Sequence, residues 1–188
     1  MNPQKLERDF FVKPTLEVAK NLLGKTLVRI IDGKRLAGKI VETEAYIGPK
    51  DKASHAYLGK RTPRNQAEFM IGGHIYIYLV YGMYWQLNIS TEEKGKPTCV
   101  LIRALEPVEG ITSSTNGPGK LCRALALDKS FYGEDLARSA RIWLENGPKI
   151  PQSRIVKAPR IGIDYAGPYW SKIKWRFYIK DNKFVSKK

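Results

Sequence analysis

Apolar positions 16, 19, 22 and 23 share one helical face, with Thr15 in the place of an N-cap and Gly24 closing the segment. The period then changes. Thr26–Ile31 reads as a strand, Asp32-Gly33 is a hairpin turn signal, and the return strand runs from about Leu36 to Tyr46. From Ile47 to Gly73 the chain is polar, basic and rich in Gly and Pro. A stretch of that length without periodicity is either functional or disordered. Two strands come next, His74–Val80 and Trp85–Ser90, joined through Tyr81-Gly82-Met83-Tyr84, and Thr98–Leu105 predicts a third, buried one. Glu106–Asn116 reads as a loop, Gly117-Pro118-Gly119 opens a short helix over Lys120–Leu127, and β-like runs lie near Arg160–Ile163 and Trp175–Ile179. Residues from about 181 or 182 to 188 are expected to fray. No internal repeat or linker-like break interrupts the chain, which predicts one α+β domain over residues 1–188. Its expected form is a mainly antiparallel, curved sheet with packed helices and a protruding tyrosine-bearing hairpin.

Charge narrows the partners. The chain has 188 residues, with 33 Lys and Arg against 18 Asp and Glu, a net +15. Residues 149–188 hold 11 of the basic and 2 of the acidic side chains, and the loop Lys50–Asn65 holds five basic residues against one acid. That balance favours a polyanion, either nucleic acid or an anionic membrane surface. No apolar run approaches the roughly 20 residues that span a bilayer. The first eight residues lack the apolar core of a secretory signal, and no amphipathic basic helix is evident. A cytoplasmic protein with no membrane role is the expectation. Cys99 and Cys122 sit in apolar surroundings and read as reduced, buried thiols. His55 and His74 lack metal-ligand spacing with them, so no metal is expected. There is no phosphate-binding loop, dinucleotide fingerprint or serine elbow, and no cofactor is expected.

Three segments carry candidate chemistry. In Ile40-Val41-Glu42-Thr43-Glu44-Ala45-Tyr46, a regular strand places Ile40, Glu42, Glu44 and Tyr46 on one face. A carboxylate on such an element can serve as a general base, although pairing of both glutamates with Arg or Lys is the commoner arrangement. In the hairpin, Tyr76 and Tyr78 alternate with Ile75, Ile77 and Leu79, giving an aliphatic and an aromatic face. Ordinary packing accounts for any single tyrosine, whereas the cluster also forms a platform on which bases stack at about 1–3 kcal/mol each. Tyr81, at the turn, could wedge between base steps. Arg103 interrupts an apolar strand and needs a charged partner, for which Glu42 or Glu44 is the natural candidate.

These residues resemble the alkyladenine (3-methyladenine) DNA glycosylase family. The likeness runs through Val41-Glu42-Thr43-Glu44-Ala45-Tyr46-Ile47-Gly48-Pro49, with Asp51 and His55, and through Lys60-Arg61-Thr62-Pro63-Arg64-Asn65. It continues in Tyr76–Tyr84, Asn88-Ile89-Ser90, Val100–Pro107 and Gly117–Cys122. The resemblance implies that Glu44 activates water and that Arg103 helps position Glu44 and the water. It implies a base pocket walled by Tyr46, His55 and Tyr78, with Asn88 at its floor disfavouring guanine. Tyr81 then corresponds to the side chain inserted into the duplex. Lys60, Arg61, Thr62, Arg64, Gly119 and Lys120 would hold the DNA backbone. Glu68, Gly119 and the C-terminal third depart from the family pattern, which bears on substrate range and DNA grip.

The function that the resemblance implies is base-excision repair of double-stranded DNA carrying a damaged purine, without an obligate protein partner. The expected enzyme is a monofunctional glycosylase acting on 3-methyladenine and 7-methylguanine, with hypoxanthine and ethenoadenine as further candidates. Extruding a base costs a few kcal/mol, and methylation gives the purine a positive charge that favours stacking on electron-rich rings. Two rivals stand beside it: a nucleic-acid-binding module without catalysis, which explains the charge and the tyrosines but leaves Glu44 and Arg103 without purpose, and a membrane-surface or structural protein, which fits the charge alone.

Overall fold

The longest strand organises the sheet. In the computed structural model, which describes residues 4–187, Lys34–Ile47 forms a single strand, β2. Thr26–Ile31 (β1) folds back along its first half through the Asp32-Gly33 turn. Arg176–Ile179 (β8) takes the same edge further on, opposite Glu42, Thr43 and Glu44. Thr98–Glu109 (β5) covers the other edge from Ala37 to Ile47. Beyond β5 lies the tyrosine hairpin, Ile75–Val80 (β3) paired with Tyr84–Ser90 (β4). Ile142–Glu145 (β6) adds to β1, and Ile155–Ala158 (β7) to β8. Every one of these pairings is antiparallel, in the order β3-β4-β5-β2-β1-β6 with β8 and β7 branching from β2. The α+β class and the antiparallel sheet are as the sequence predicts.

The described residues form four short helices, Arg8–Phe11 (α1), Thr15–Asn21 (α2), Pro118–Ala124 (α3) and Pro168–Lys172 (α4), of which α2 lies against β2 and β5 and α3 against β4 and β5. The buried stripe of α2 and the turn after it is Thr15, Val18, Ala19, Leu22 and Leu23, spaced three and four apart as an amphipathic helix requires. Leu16, expected on that face, is only half-buried. Thr15 is not the cap. Pro14 holds the cap position, and the Thr15 hydroxyl instead donates to Glu92 Oε1 at 2.7 Å. Gly24 does close the segment, with φ +86°, where an added Cβ would fall 2.7 Å from the Pro148 carbonyl oxygen.

Other boundaries differ. β5 runs to Glu109, through residues expected to form a loop, because Lys39, Gly38 and Ala37 of β2 continue to pair with it. The helix expected over Lys120–Leu127 starts at Pro118, whose fixed φ suits a first helical position, and ends at Ala124. Arg160–Ile163 is a loop and not a strand; the strand lies just before it, at β7. The long polar segment is ordered by two 3-10 turns, Tyr57–Gly59 and Gln66–Phe69, and by buried Asn65, whose amide donates to the carbonyls of His55 and Lys60. The C-terminal residues expected to fray are held: Val185 is buried and the Ser186 amide donates to Glu42 Oε2 at 2.7 Å. Lys188 lies outside the described residues. Among the described residues no helix is long and apolar enough to cross a membrane.

Two slips in the β2–β5 ladder shape the region around the glutamates. Ile40 pairs with Leu105 and Glu42 with Ala104, so Val41 has no partner in the register, and Ile40 and Val41 both reach the main apolar cluster. Ile40 is thereby drawn from the face it was expected to share with the glutamates. Thr43 then pairs with Ile102, so Arg103 is skipped on the opposing strand. Such bulges re-aim side chains, and this one turns Arg103 toward the two carboxylates.

Candidate active site

Glu42 and Glu44 are both fully buried, yet their surroundings differ. Glu42 is clasped by cations and a backbone amide. Arg176 Nη1 donates to its Oε1 at 2.8 Å, Arg103 Nε approaches the same oxygen at 3.3 Å, and the Ser186 amide holds Oε2. Glu44 has one cation and two neutral donors. Arg103 Nη1 lies 3.3 Å from its Oε1, the Ile161 amide donates to Oε1 at 2.8 Å, and the Tyr46 hydroxyl donates to Oε2 at 2.8 Å. A carboxylate has about four acceptor positions, so Oε2 of Glu44 keeps one free. Both glutamates therefore do pair with arginine, as the commoner arrangement has it, and Arg103 bridges them.

Beside these glutamates opens a cleft of about 900 Å³, in the range of small-molecule sites; Arg103, Ile161 and Tyr46, the partners of Glu44, line it, while Glu44 itself lies behind them. Tyr46, His55, Tyr76, Tyr78 and Asn88 line it. The His55 and Tyr78 rings meet edge to face at 4.7 Å between centroids, and His55 Nδ1 lies 2.6 Å from the Tyr76 hydroxyl. His55 is exposed as a residue, and loss of water on the side of its ring that faces the cleft, with the Arg64 charge nearby, pushes it down to about 4, so the ring is neutral at physiological pH. Burial pushes the Tyr46, Tyr76 and Tyr78 phenols up, so they remain protonated donors. Asn88 is fixed from behind, its amide donating to the carbonyls of Tyr76 and Gln86, each at 3.1 Å.

Tyr81 stands at the opposite lip, 87% exposed, with φ +51°. A bulky residue in the left-handed region costs roughly 1–2 kcal/mol. Gly82 comes next with φ +69°, which tightens the turn and leaves the ring projecting.

The expected backbone-holding residues divide. Arg64, Gly119 and Lys120 border the cleft, while Lys60, Arg61 and Thr62 do not. Arg64 stacks over Tyr78 at 5.0 Å and donates to the Leu79 carbonyl. Gly119 lets α3 approach Tyr84, since a Cβ there would sit 3.0 Å from that ring. Lys120 Nζ lies 3.0 Å from Asn116 Oδ1. Lys60 and Arg61 are exposed on the loop, and Thr62 spends its amide and hydroxyl on Asn65 Oδ1.

One pair was not singled out from the sequence. Arg160 and Asp51 form a fully buried, two-pronged ion pair at 2.5 and 2.9 Å. The guanidinium also donates to the Ala45 carbonyl and lies over the Tyr46 ring at 4.7 Å and the Trp175 ring at 5.2 Å. Its neighbour Ile161 supplies the amide on Glu44. Asp51 thus anchors the segment that orients both Tyr46 and Glu44. For Arg160 the signal in the sequence is the basic charge of the C-terminal third, and for Asp51 its place in the segment that carries the family likeness. Among the described residues no group of side chains could hold a metal ion.

A family model described as methylpurine-DNA glycosylase (MPG) matches residues 9–183. A protein of Clostridium perfringens named "Putative 3-methyladenine DNA glycosylase" is 50% identical over 98% of this chain and 100% of its own length. A protein of the same name from Natranaerobius thermophilus is 44% identical over 97% of this chain and 98% of its own. The human DNA-3-methyladenine glycosylase is 42% identical over 97% of this chain and 68% of its own.

Proposed function

We propose, since this chain belongs to the methylpurine-DNA glycosylase family, that it removes alkylated purines from double-stranded DNA by hydrolysing the N-glycosidic bond. The observation that carries this reading is Glu44, a buried carboxylate held by Arg103, Ile161 and Tyr46, all three of which line the aromatic cleft, with one acceptor position left over. A water in that position would be deprotonated as it adds to the sugar carbon, while the negative charge of Glu44 stabilises the oxocarbenium character developing there. General-base help of this kind contributes about 10²–10⁴-fold.

The base has to leave the helix for this to happen. Tyr81 would fill the space it vacates, and the extruded purine would lie between Tyr46 and Tyr78, with neutral His55 on the wall and Asn88 at the floor. A cationic methylated purine stacks on such rings more strongly than a neutral one. Exposed Lys60 and Arg61, with Arg64 and Lys120 at the rim, supply positive charge for the flanking phosphates. Thr62, bonded to Asn65, and Gly119, packed against Tyr84, would hold the DNA backbone beside them.

The products would be a free base and an abasic site, without strand cleavage. A lyase step needs an amine at the sugar carbon, and Lys120, the lysine bordering the cleft, has its ammonium on Asn116. Incubating the protein with duplex treated with dimethyl sulfate tests the reading. Free 3-methyladenine and breaks that appear only after alkali are expected. DNA binding without release of base would favour a binding module, and a borohydride-trapped adduct would overturn the monofunctional assignment.

A further inference from the structure

Glu68 is a buried acid that takes no part in the proposed hydrolysis. It lies in the 3-10 turn Gln66–Phe69, is 1% exposed, and belongs to the wall of the cleft. One oxygen accepts from Cys99 Sγ at 3.4 Å, and the other, Oε2, has no partner among the described residues. Cys99 Sγ in turn lies 3.9 Å from Asn88 Oδ1. A single sulfur therefore separates the Glu68 carboxyl from the floor of the base pocket.

We propose that Glu68 is a specificity-determining residue of this pocket, its unpartnered carboxyl oxygen turning to meet the inner edge of the bound purine. The inference rests on the glycosylase reading and deepens it. An uncompensated buried oxygen is destabilising, and an apolar side chain would fill the same space without that penalty. No lysine or arginine among the described residues forms an ion pair with Glu68, so burial dominates and raises it to about 7, against the weaker opposing influence of nearby Cys99 and Asn65. With its proton, Glu68 donates to a ring nitrogen or carbonyl of a neutral purine. Without it, Glu68 accepts hydrogen bonds and offers a counter-charge to a cationic, alkylated one. One side chain thus weighs neutral lesions against charged ones.

The groups around Glu68 leave it as the one titrating near neutrality. From β5, the Cys99 thiol is pushed up by burial. From β3, the Tyr76 and Tyr78 phenols are pushed up likewise, as is Tyr132 in the segment after α3. In the loop before it, Asp51 is committed to Arg160, Arg64 to the Tyr78 ring, and His55 is neutral above about 4.

The test compares single-turnover release of hypoxanthine, neutral, and 3-methyladenine, cationic, from otherwise identical duplexes between pH 6 and 8. Effects on Glu44 act on both lesions and cancel in the ratio. For wild type, the hypoxanthine to 3-methyladenine ratio is expected to fall by up to about a hundredfold over this range, tracking the protonated-to-ionised ratio of a carboxyl that titrates near 7. Glu68→Gln, which keeps the shape but cannot ionise, should give a flat ratio. Glu68→Met should also be flat while melting no lower than wild type, which a merely structural role for Glu68 would not allow. A pH-independent ratio in wild type, or a Gln variant that tracks wild type, overturns the proposal while the glycosylase reading stands. Release of neither base by wild type overturns both.

Discussion

The Tyr46 hydroxyl donates to Glu44 Oε2 at 2.8 Å from two positions along the same strand, so one residue both walls the cleft and aims the carboxylate behind that wall. A hydrogen bond to a charged group contributes about 1.5–3 kcal/mol, which as a barrier is on the order of 10–100-fold in rate. Tyr46→Phe removes the bond and keeps the ring. Its single-turnover rate is expected to fall by about that factor while affinity for lesion-bearing duplex changes little. Equal losses in rate and affinity would make Tyr46 a wall only.

Asp51 and Arg160 lie 109 positions apart and meet with no exposure to solvent. Removing one partner of a buried pair leaves an uncompensated charge and costs about 3–5 kcal/mol. Asp51→Asn should lower the urea midpoint accordingly and, by releasing Arg160 from Tyr46, also slow catalysis. A variant of unchanged stability would show that the guanidinium finds other acceptors.

This pair also marks the limit of what the sequence reveals. Tyr78, Asn88 and Tyr81 are legible because the hairpin is a regular ladder with a turn at its tip, and Glu44 and Tyr46 because they lie past the slips of β2, where alternation again assigns faces. Arg103 is legible as a charge in an apolar run, although the slip that aims it depends on the register of two strands. The Ile161 amide, the Arg160 anchor and the Ser186 contact come from loops and the C-terminus. No period governs those segments, and their partners lie more than a hundred residues away. For the same reason Arg160–Ile163 reads as β-like by composition and is a loop in space.

Tyr81 holds its ring in the solvent at φ +51°. Glycine adopts that conformation without strain, so Tyr81→Gly should leave the fold as stable or raise stability by about 1 kcal/mol. Base release from duplex should nevertheless fall, and more steeply than release from single strands, where no stack has to be opened. Thermal melting and the two release rates check this together. A destabilised variant, or equal losses on both substrates, would contradict a wedge.

His55 and Glu68 give stability opposite slopes with pH. The unfolded imidazole titrates at 6.5 and the folded one at about 4, so between these values the unfolded chain binds more protons. Stability from His55 is present above 6.5 and declines as pH falls toward 4. For Glu68 the unfolded value is 4.5 and the folded one about 7, so the folded protein binds more protons in that window. Its contribution is present below 4.5 and is lost as pH rises to 7. Melting curves should show His55→Gln flattening the acid decline, and Glu68→Gln gaining on wild type between pH 4.5 and 7. Parallel profiles for both variants would refute the assignment.

Glu44 is assigned the central role, activating water for attack on the sugar of an extruded purine. The most direct test is single-turnover release of 3-methyladenine by wild type and Glu44→Gln, with binding to the same duplex measured in parallel. Wild type is expected to free the base, while the variant binds the DNA comparably and releases base at least about 10²-fold more slowly. Release by Glu44→Gln at the wild-type rate would contradict that role.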